Sequence, residues 1–377
     1  MDTSLFEPVR IGDLEIKNRF VRSATYDNGA DRRGHVTEWQ ISLYETLAKG
    51  GVGLIVSGMA NVHPSGRVST YQNIISEDSA IDGLKHLVKA VHAYNSTIVL
   101  QIAHAGREAH VYQGYLKASA VAPSCLSRDS QFQHPHRALR HAEIEDIIRA
   151  FGDAAGRAKA AGLDGVQVHG AHAYLVSQFL SPHTNRRKDR WGGSLAARFR
   201  FLAGVYKAIR KAVGPNFPVL IKLGVADGFE GGLTFDEGIT IARWCAELGF
   251  DAIEVSQGLR GQGYGRTEFH TKIHSKAREA YFRAWTRQIK HVVPVPVWMV
   301  GGLRSPDVMR DVVAGEEADL VALCRPLIRE PDLIARWQRG EAASSRCISC
   351  NQCLEILYEG KRLRCVADAL EKKKSAV

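Results

Sequence analysis

Two groups of side chains in this sequence have types and spacings that could do chemistry. The first is Val166-Gln167-Val168-His169-Gly170-Ala171-His172-Ala173-Tyr174, which puts two imidazoles and a phenol within six residues. Paired imidazoles can donate hydrogen bonds to a carbonyl oxygen as negative charge grows on it, and a nearby phenol can deliver a proton. A single histidine at a strand end is as readily a hydrogen-bonded structural residue. Metal ligation by His169 and His172 is a further reading, but the segment offers no carboxylate or third histidine beside them. The second group is Cys347, Cys350, Cys353 and Cys365, four of seven cysteines, spaced C-x₂-C-x₂-C-x₁₁-C. Thiolates so spaced can converge on one centre, either a [4Fe–4S] cluster or Zn²⁺, with four unliganded thiols as the alternative. Cys125, Cys245 and Cys324 read as small hydrophobes or neighbours of a site.

Groups like these need a rigid frame. Short β-branched or apolar runs recur along the chain, each followed by a segment of helical periodicity. Strands are expected at 19–24, 52–58, 97–102, 165–169, 219–223, 252–256, 297–300 and 320–323. Helices are expected at about 38–49, 79–95, 143–161, 194–213, 234–248, 276–291, 305–314 and 331–339. Ser194, Thr234 with Glu237, and Ser305 with Pro306 read as helix starts. Eight β/α units, with no glycine-rich dinucleotide turn after the first strand, predict an α/β fold: a single (β/α)₈ barrel over 1–340. A Cys-rich extension occupies 341–377. In such a barrel the reactive groups gather at the C-terminal ends of the strands, so the long loops 103–141 and 170–193 should cover the mouth. Tyr112, Tyr115, Phe132, Tyr264 and Phe269 are the loop residues expected to line it.

Composition narrows the class. Of 377 residues, 45% are hydrophobic and 24% charged, proportions that suit a chain with a sizeable core and argue against disorder. The start from Met1 to Arg10 has no basic stretch followed by an apolar run, and no long uninterrupted apolar segment occurs. The expectation is an unexported, cytoplasmic protein with no membrane span, whose clustered thiols serve metal or redox chemistry rather than disulfides. The net charge of +10 is spread along the chain without a nucleic-acid-binding module, so it fits a basic barrel mouth that attracts phosphate or CoA-type anions.

The His169/His172/Tyr174 segment is followed by Leu180-Ser181-Pro182, Asn185-Arg186-Arg187 and Arg190-Trp191-Gly192-Gly193-Ser194. With Leu5-Phe6-Glu7-Pro8, Lys17-Asn18-Arg19, Gln101-Ile102-Ala103-His104-Ala105-Gly106-Arg107 and Arg325-Pro326-Leu327, these motifs resemble the Old Yellow Enzyme family of NADH:flavin oxidoreductases. The likeness runs in order over about residues 5–340. It implies an FMN across the barrel mouth, with Ser23, Ala24, Thr25, Ala60 and Gln101 at the ring and Lys222 near N1. Gly301, Gly302, Cys324 and Arg325 would meet the phosphate. The chain departs from the family's pattern at two points, with Lys222 where arginine is commoner and Cys324 where glycine is usual. The implied reaction runs in two half-reactions at one site. NAD(P)H gives hydride to the flavin, then an α,β-unsaturated carbonyl compound or enoyl thioester, held by His169 and His172, receives hydride at Cβ and a proton from Tyr174.

The cysteine segment resembles the cluster-binding region of trimethylamine dehydrogenase and 2,4-dienoyl-CoA reductase. That likeness implies a [4Fe–4S] centre, with zinc as the alternative, and a separate electron-transfer partner, since the further domain of those proteins is not expected here. It also leaves room for an amine or N-methyl dehydrogenase. Two readings of other classes are a non-redox phosphate-binding barrel lyase or isomerase, and a zinc-containing nucleic-acid or interaction protein. Both would lack a flavin. Physiological substrate, the choice between NADH and NADPH, and oligomeric state are not specified by these motifs.

Overall fold

A strand buried on both faces must be apolar throughout and must pair on both edges, which a closed parallel barrel achieves. The computed structural model describes residues 5–110, 120–126 and 135–375. Its eight central strands are β1 (Phe20–Arg22), β2 (Leu54–Val56), β3 (Thr97–Ala103), β4 (Gly165–Gly170), β5 (Val219–Gly224), β6 (Ala252–Ser256), β7 (Val297–Met299) and β8 (Leu320–Leu323). All eight expected strands are present, each within two residues of its expected ends. Each pairs in parallel with the next, and β8 returns to β1 through Val321↔Phe20, Ala322↔Val21 and Leu323↔Arg22. The sheet is therefore a closed (β/α)₈ barrel.

Eight helices surround it: α1 (Glu38–Lys49), α2 (Ile81–His92), α3 (His141–Ala160), α4 (Leu195–Val213), α5 (Phe235–Leu248), α6 (Arg283–Val292), α7 (Pro306–Ala314) and α8 (Leu333–Gln338). The Thr234 hydroxyl accepts from Glu237 N at 3.3 Å while the Glu237 carboxylate accepts from Thr234 N at 3.2 Å, a reciprocal cap for α5. Ser194 caps α4 through Ala197 N. Two expectations need correction. The helix expected from 276 begins only at Arg283, because Ala280 sits in the left-handed region (φ 54°) and leaves Lys276–Arg278 as a separate 3₁₀ turn. Ser305 does not cap α7 with its side chain. Instead Glu279 accepts from Arg304 N, Ser305 N and the Ser305 hydroxyl at 2.7–2.9 Å, so a carboxylate from the preceding loop satisfies that helix start.

Inside the barrel, Val21, Leu54, Val56, Val99, Leu220, Ala252, Trp298, Leu320 and Ala322 form a dry core. An antiparallel hairpin, Val9–Ile11 with Leu14–Ile16, adds Ile11 and Ile16 to that core and closes the floor. The Cys-rich extension folds back over the opposite end. Leu363 N donates to Asp27 O at 2.9 Å, and Asn28 Nδ2 to Lys361 O at 3.1 Å. Glu330 accepts from Ser345 Oγ and Arg346 N, which fixes where the extension leaves α8. Tyr112, Tyr115 and Phe132 lie outside the described residues.

Replacing Thr234 by alanine removes one half of the α5 cap and is expected to destabilise the protein by about 1 kcal/mol. Urea unfolding of Thr234→Ala checks it; an unchanged midpoint would mean the cap adds nothing.

Candidate active site

The dry core ends upward at a layer of polar side chains contributed by four of the eight strands and by Ser23, which follows β1. Lys222 (β5) and Glu254 (β6) are cross-strand partners, and the ammonium lies 3.0 Å from the carboxylate. Lys222 Nζ also donates to Ser23 Oγ at 2.8 Å, and Ser23 Oγ donates to Glu254 at 2.6 Å. The other Glu254 oxygen accepts from Gln167 Nε2 (β4), whose own Oε1 accepts from Gln101 Nε2 (β3) at 2.8 Å. All five side chains are buried. An ammonium carries three N–H groups, and two are used here. The third Lys222 donor and the Gln101 carbonyl oxygen are left to whatever occupies the cavity above.

That cavity, about 180 Å³, is lined by Ser23, Ala24, Thr25 and Gln101 on one side and by His169, His172 and Tyr174 on another. The turn after β4 explains how three rings come together. His172 and Ala173 both adopt left-handed backbone (φ 58° and 65°), a cost of roughly 1–3 kcal/mol each for residues with a Cβ. Their N–H groups are held by Gln257 O and Gly258 O after β6. The His169 ring then lies 5.1 Å from that of His172 and 4.6 Å from that of Tyr174, edge to face. Burial, then the charges of His172 and Lys222, hold the His169 imidazole far below its usual range, and burial followed by Lys222 and Arg260 does the same for His172. Both are neutral at neutral pH. His169 Nδ1 accepts from Ala171 N, which leaves the proton on Nε2, and His172 Nε2 shares a hydrogen with Ser256 Oγ at 2.8 Å. Burial raises Tyr174, so its phenol keeps its proton.

At the other end of the cavity the groups suit an anion. Gly301 and Gly302 follow β7 with φ of 132° and 72°, and a Cβ at Gly302 would stand 2.9 Å from the Tyr281 ring. Arg325, at the start of a short helix after β8, gives Nη1 to His270 O and Asn351 Oδ1, which keeps Nε and Nη2 for a ligand. Arg304 also lines the cavity, and its buried Nε has no partner among the described residues. An orphaned guanidinium nitrogen beside glycine backbone and a helix start is what a phosphate would satisfy. With the free donor and acceptor of the floor, these residues fit FMN. Thr25 donates to Ser23 O and contacts Cys324 Sγ at 3.1 Å.

Of the catalytic and cofactor-binding residues named from sequence, only Ala60 is not on the cavity wall. It is buried in a short strand beside β3, and Met59 lines the cavity instead. Phe269 lines it as expected; the Tyr264 side chain lies outside the described residues. Sequence reasoning missed Arg260, Glu268, Ser256 and Tyr281, all on the wall. Arg260 holds Glu268 at 2.6 Å and reaches Glu108 at 3.4 Å; burial works against its charge, but the carboxylates overcome it and keep it cationic. Their sequence separation left no local pattern to find.

The extension supplies the ceiling: Ser349, Asn351, Cys353, Leu354, Leu357 and Leu363 all face this cavity. Beneath it Cys347, Cys350, Cys353 and Cys365 line a second, enclosed space together with Arg325 and Arg329. Burial raises the Cys347 thiol and pushes Cys353 up to about 12. Among the described residues no three His, Cys, Asp or Glu side chains are gathered tightly enough for a single metal ion. Nor is any described helix long and apolar enough to cross a membrane.

The NADH:flavin oxidoreductase / NADH oxidase family matches residues 4–343. An NADH oxidase of Thermoanaerobacter brockii is 37% identical over 372 residues, covering 97% of this chain and 56% of that protein. A 4,4'-dithiodibutanoate disulfide reductase of Rhodococcus erythropolis is 32% identical over 394 residues, covering 97% and 96%. A solved 2-naphthoyl-CoA reductase in complex with 2-naphthoyl-CoA matches with a TM-score of 0.88 at 31% identity, over 97% of this chain and 57% of that one. The chain therefore spans about half the length of two of these proteins and nearly all of the third. Fold, cradle and likeness agree on one class, the flavin oxidoreductases. The chain belongs to the NADH:flavin oxidoreductase / NADH oxidase family.

The buried histidines make stability depend on pH. His104, buried and beside His63, is lowered to about 3, and His169 and His172 are also depressed. For each, the folded value lies below the unfolded one, so below about pH 6.5 the unfolded chain binds more protons and stability falls as pH falls. Each such histidine contributes up to about 1.4 kcal/mol per pH unit in that range. Urea midpoints should drop between pH 7.5 and 5.5, less steeply in His104→Gln; equal slopes in the two proteins would refute this.

Proposed function

We propose that the protein reduces the activated C=C bond of α,β-unsaturated carbonyl compounds, enoyl thioesters among them, using NADH or NADPH. The observation that carries this reading is the meeting of His169, His172 and Tyr174 on the wall of one cavity with Lys222 and Gln101, His169 being the cross-strand neighbour of Lys222. When bound in the cradle, FMN supplies a centre that takes hydride from the nicotinamide and returns it to the acceptor's Cβ.

The chain's own residues do the rest. Ser23, Gln101 and Lys222 orient a flat polar ring, and the third Lys222 donor favours added electron density on it. His169, with its proton on Nε2, and His172 hold the acceptor's carbonyl oxygen. As hydride reaches Cβ, charge moves onto that oxygen and the imidazole N–H groups stabilise it. The Tyr174 hydroxyl gives its proton to Cα, completing addition of H⁻ and H⁺ across the double bond, and is reprotonated from solvent. Leu354, Leu357 and Leu363 keep water from the cavity while this happens.

The four tail thiols are proposed to hold a [4Fe–4S] cluster. The four thiols line one small space, and their C-x₂-C-x₂-C-x₁₁-C spacing suits such a cluster, with zinc as the alternative. The cluster when bound supplies one-electron transfer, for which a separate partner protein is the natural recipient. Reduced thiols of this kind favour a reducing compartment, and the cytoplasm is the proposed location.

Anaerobic stopped-flow separates the half-reactions. Flavin reduced by NADPH should be reoxidised by 2-cyclohexen-1-one, and Tyr174→Phe should slow that step by about 10²–10⁴-fold while affecting reduction much less. Reoxidation by enones at no measurable rate, with turnover of amines instead, would assign the site to amine oxidation. The purified protein should also contain iron and acid-labile sulfide in equal amounts; zinc without iron would remove the cluster from the account.

A further inference from the structure

Beside the barrel mouth lies a groove of about 820 Å³ formed by residues 270–281, α6 and α7. It borders the reaction cavity: Tyr281 lines both, and His270 stacks on Tyr281 with ring centres 4.0 Å apart and planes 20° from parallel. Five basic side chains line the groove, Lys272, Lys276, Arg278, Arg283 and Arg287, against two acidic ones, Glu279 and Glu317.

Both carboxylates that line the groove are already committed, as is Asp307 beside it. Glu279 is held by the start of α7, Glu317 is paired with Arg283 at 2.7 Å, and Asp307 is bonded by Lys276. Lys272, Arg278 and Arg287 are exposed and have no ion-pair partner among the described residues; Arg278 spends one bond, at 3.2 Å, on Lys272 O. Three cations without a direct ion-pair partner among the described residues, one aromatic pair away from the cavity, attract an anion that is part of a larger reactant. The left-handed Lys272 and Ala280 (φ 59° and 54°) hold the loop in the shape that makes the wall.

Resting on the reading of function above, we propose that this groove receives the phosphorylated adenosine end of a reactant whose other end is in the cavity. The chemistry it would recognise is a ribose phosphomonoester with an adenine beside it. NADPH carries that phosphate at the 2′ position and a coenzyme A thioester at the 3′ position. His270 and Tyr281 offer the base a flat face, and Lys272, Arg278 and Arg287 meet the phosphate.

Calorimetric titration of the flavin-loaded full chain with adenosine 2′,5′-bisphosphate and adenosine 3′,5′-bisphosphate tests this, with adenosine as the phosphate-free control. At least one bisphosphate should bind more tightly than adenosine. The double variant R278A/R287A should weaken it tenfold or more, with flavin content and Tm reporting that the variant is folded. K207A/K211A, which removes two exposed lysines from α4, should not. Preference for the 2′,5′ compound assigns the groove to NADPH, and the KM for NADPH should then rise in R278A/R287A. Preference for the 3′,5′ compound assigns it to the thioester, with the corresponding rise in KM for a crotonyl-CoA acceptor. The inference falls if neither bisphosphate outbinds adenosine, if R278A/R287A binds as the parent does, or if the α4 variant loses as much. Bisphosphate binding in a protein that does not reduce enones would leave the groove standing and remove only the proposed reaction.

Discussion

The buried pair of Lys222 and Glu254 is the constraint on which the rest of the site depends. Two charges withdrawn from water are tolerable only when their attraction and their hydrogen bonds replace the lost solvation. Here the carboxylate has three donors, Lys222, Ser23 and Gln167, and Gln167 is in turn held by Gln101. Removing one charge and leaving the other would cost about 3–5 kcal/mol. The pair also decides what can sit above it. With Glu254 neutralising most of its charge, Lys222 acts through a single directed N–H rather than as a free cation, which differs from the bare positive group that its position in the sequence suggests.

Strand ends carry all of this because a parallel barrel brings eight of them to one rim. That architecture was legible in advance from the alternation of apolar runs and helical periods, since a strand buried on both faces has few alternatives. So were His169, His172 and Tyr174, whose density in six residues is a local signal. What was not legible depends on distance along the chain. Arg260, Glu268 and Glu108 come together across about 150 residues of sequence, and nothing in the neighbourhood of each marks the others. Ser305 has the residue type and position of a helix cap, yet Glu279 outcompetes it because a carboxylate can satisfy two backbone donors and the hydroxyl together. At Ala60 the difference is one residue: the alanine is buried in the core and the methionine before it lines the cavity.

Strain in the turn after β4 has a similar origin. His172 and Ala173 in left-handed conformation would relax if free, but their N–H groups are pinned to the carbonyls that follow β6. The imidazole pair is thus positioned by a neighbouring strand as much as by its own. Such over-determined backbone is where a fold spends stability on geometry, and here it falls on the turn that brings His172 to the cavity wall.

Cys353 lines both enclosed spaces, as do Arg325 and Asn351. The roof over the reacting molecule and the wall around the thiols are consequently one piece of polypeptide. Grafting a different tail onto this barrel would therefore exchange the ceiling of the cavity at the same stroke as the thiol set.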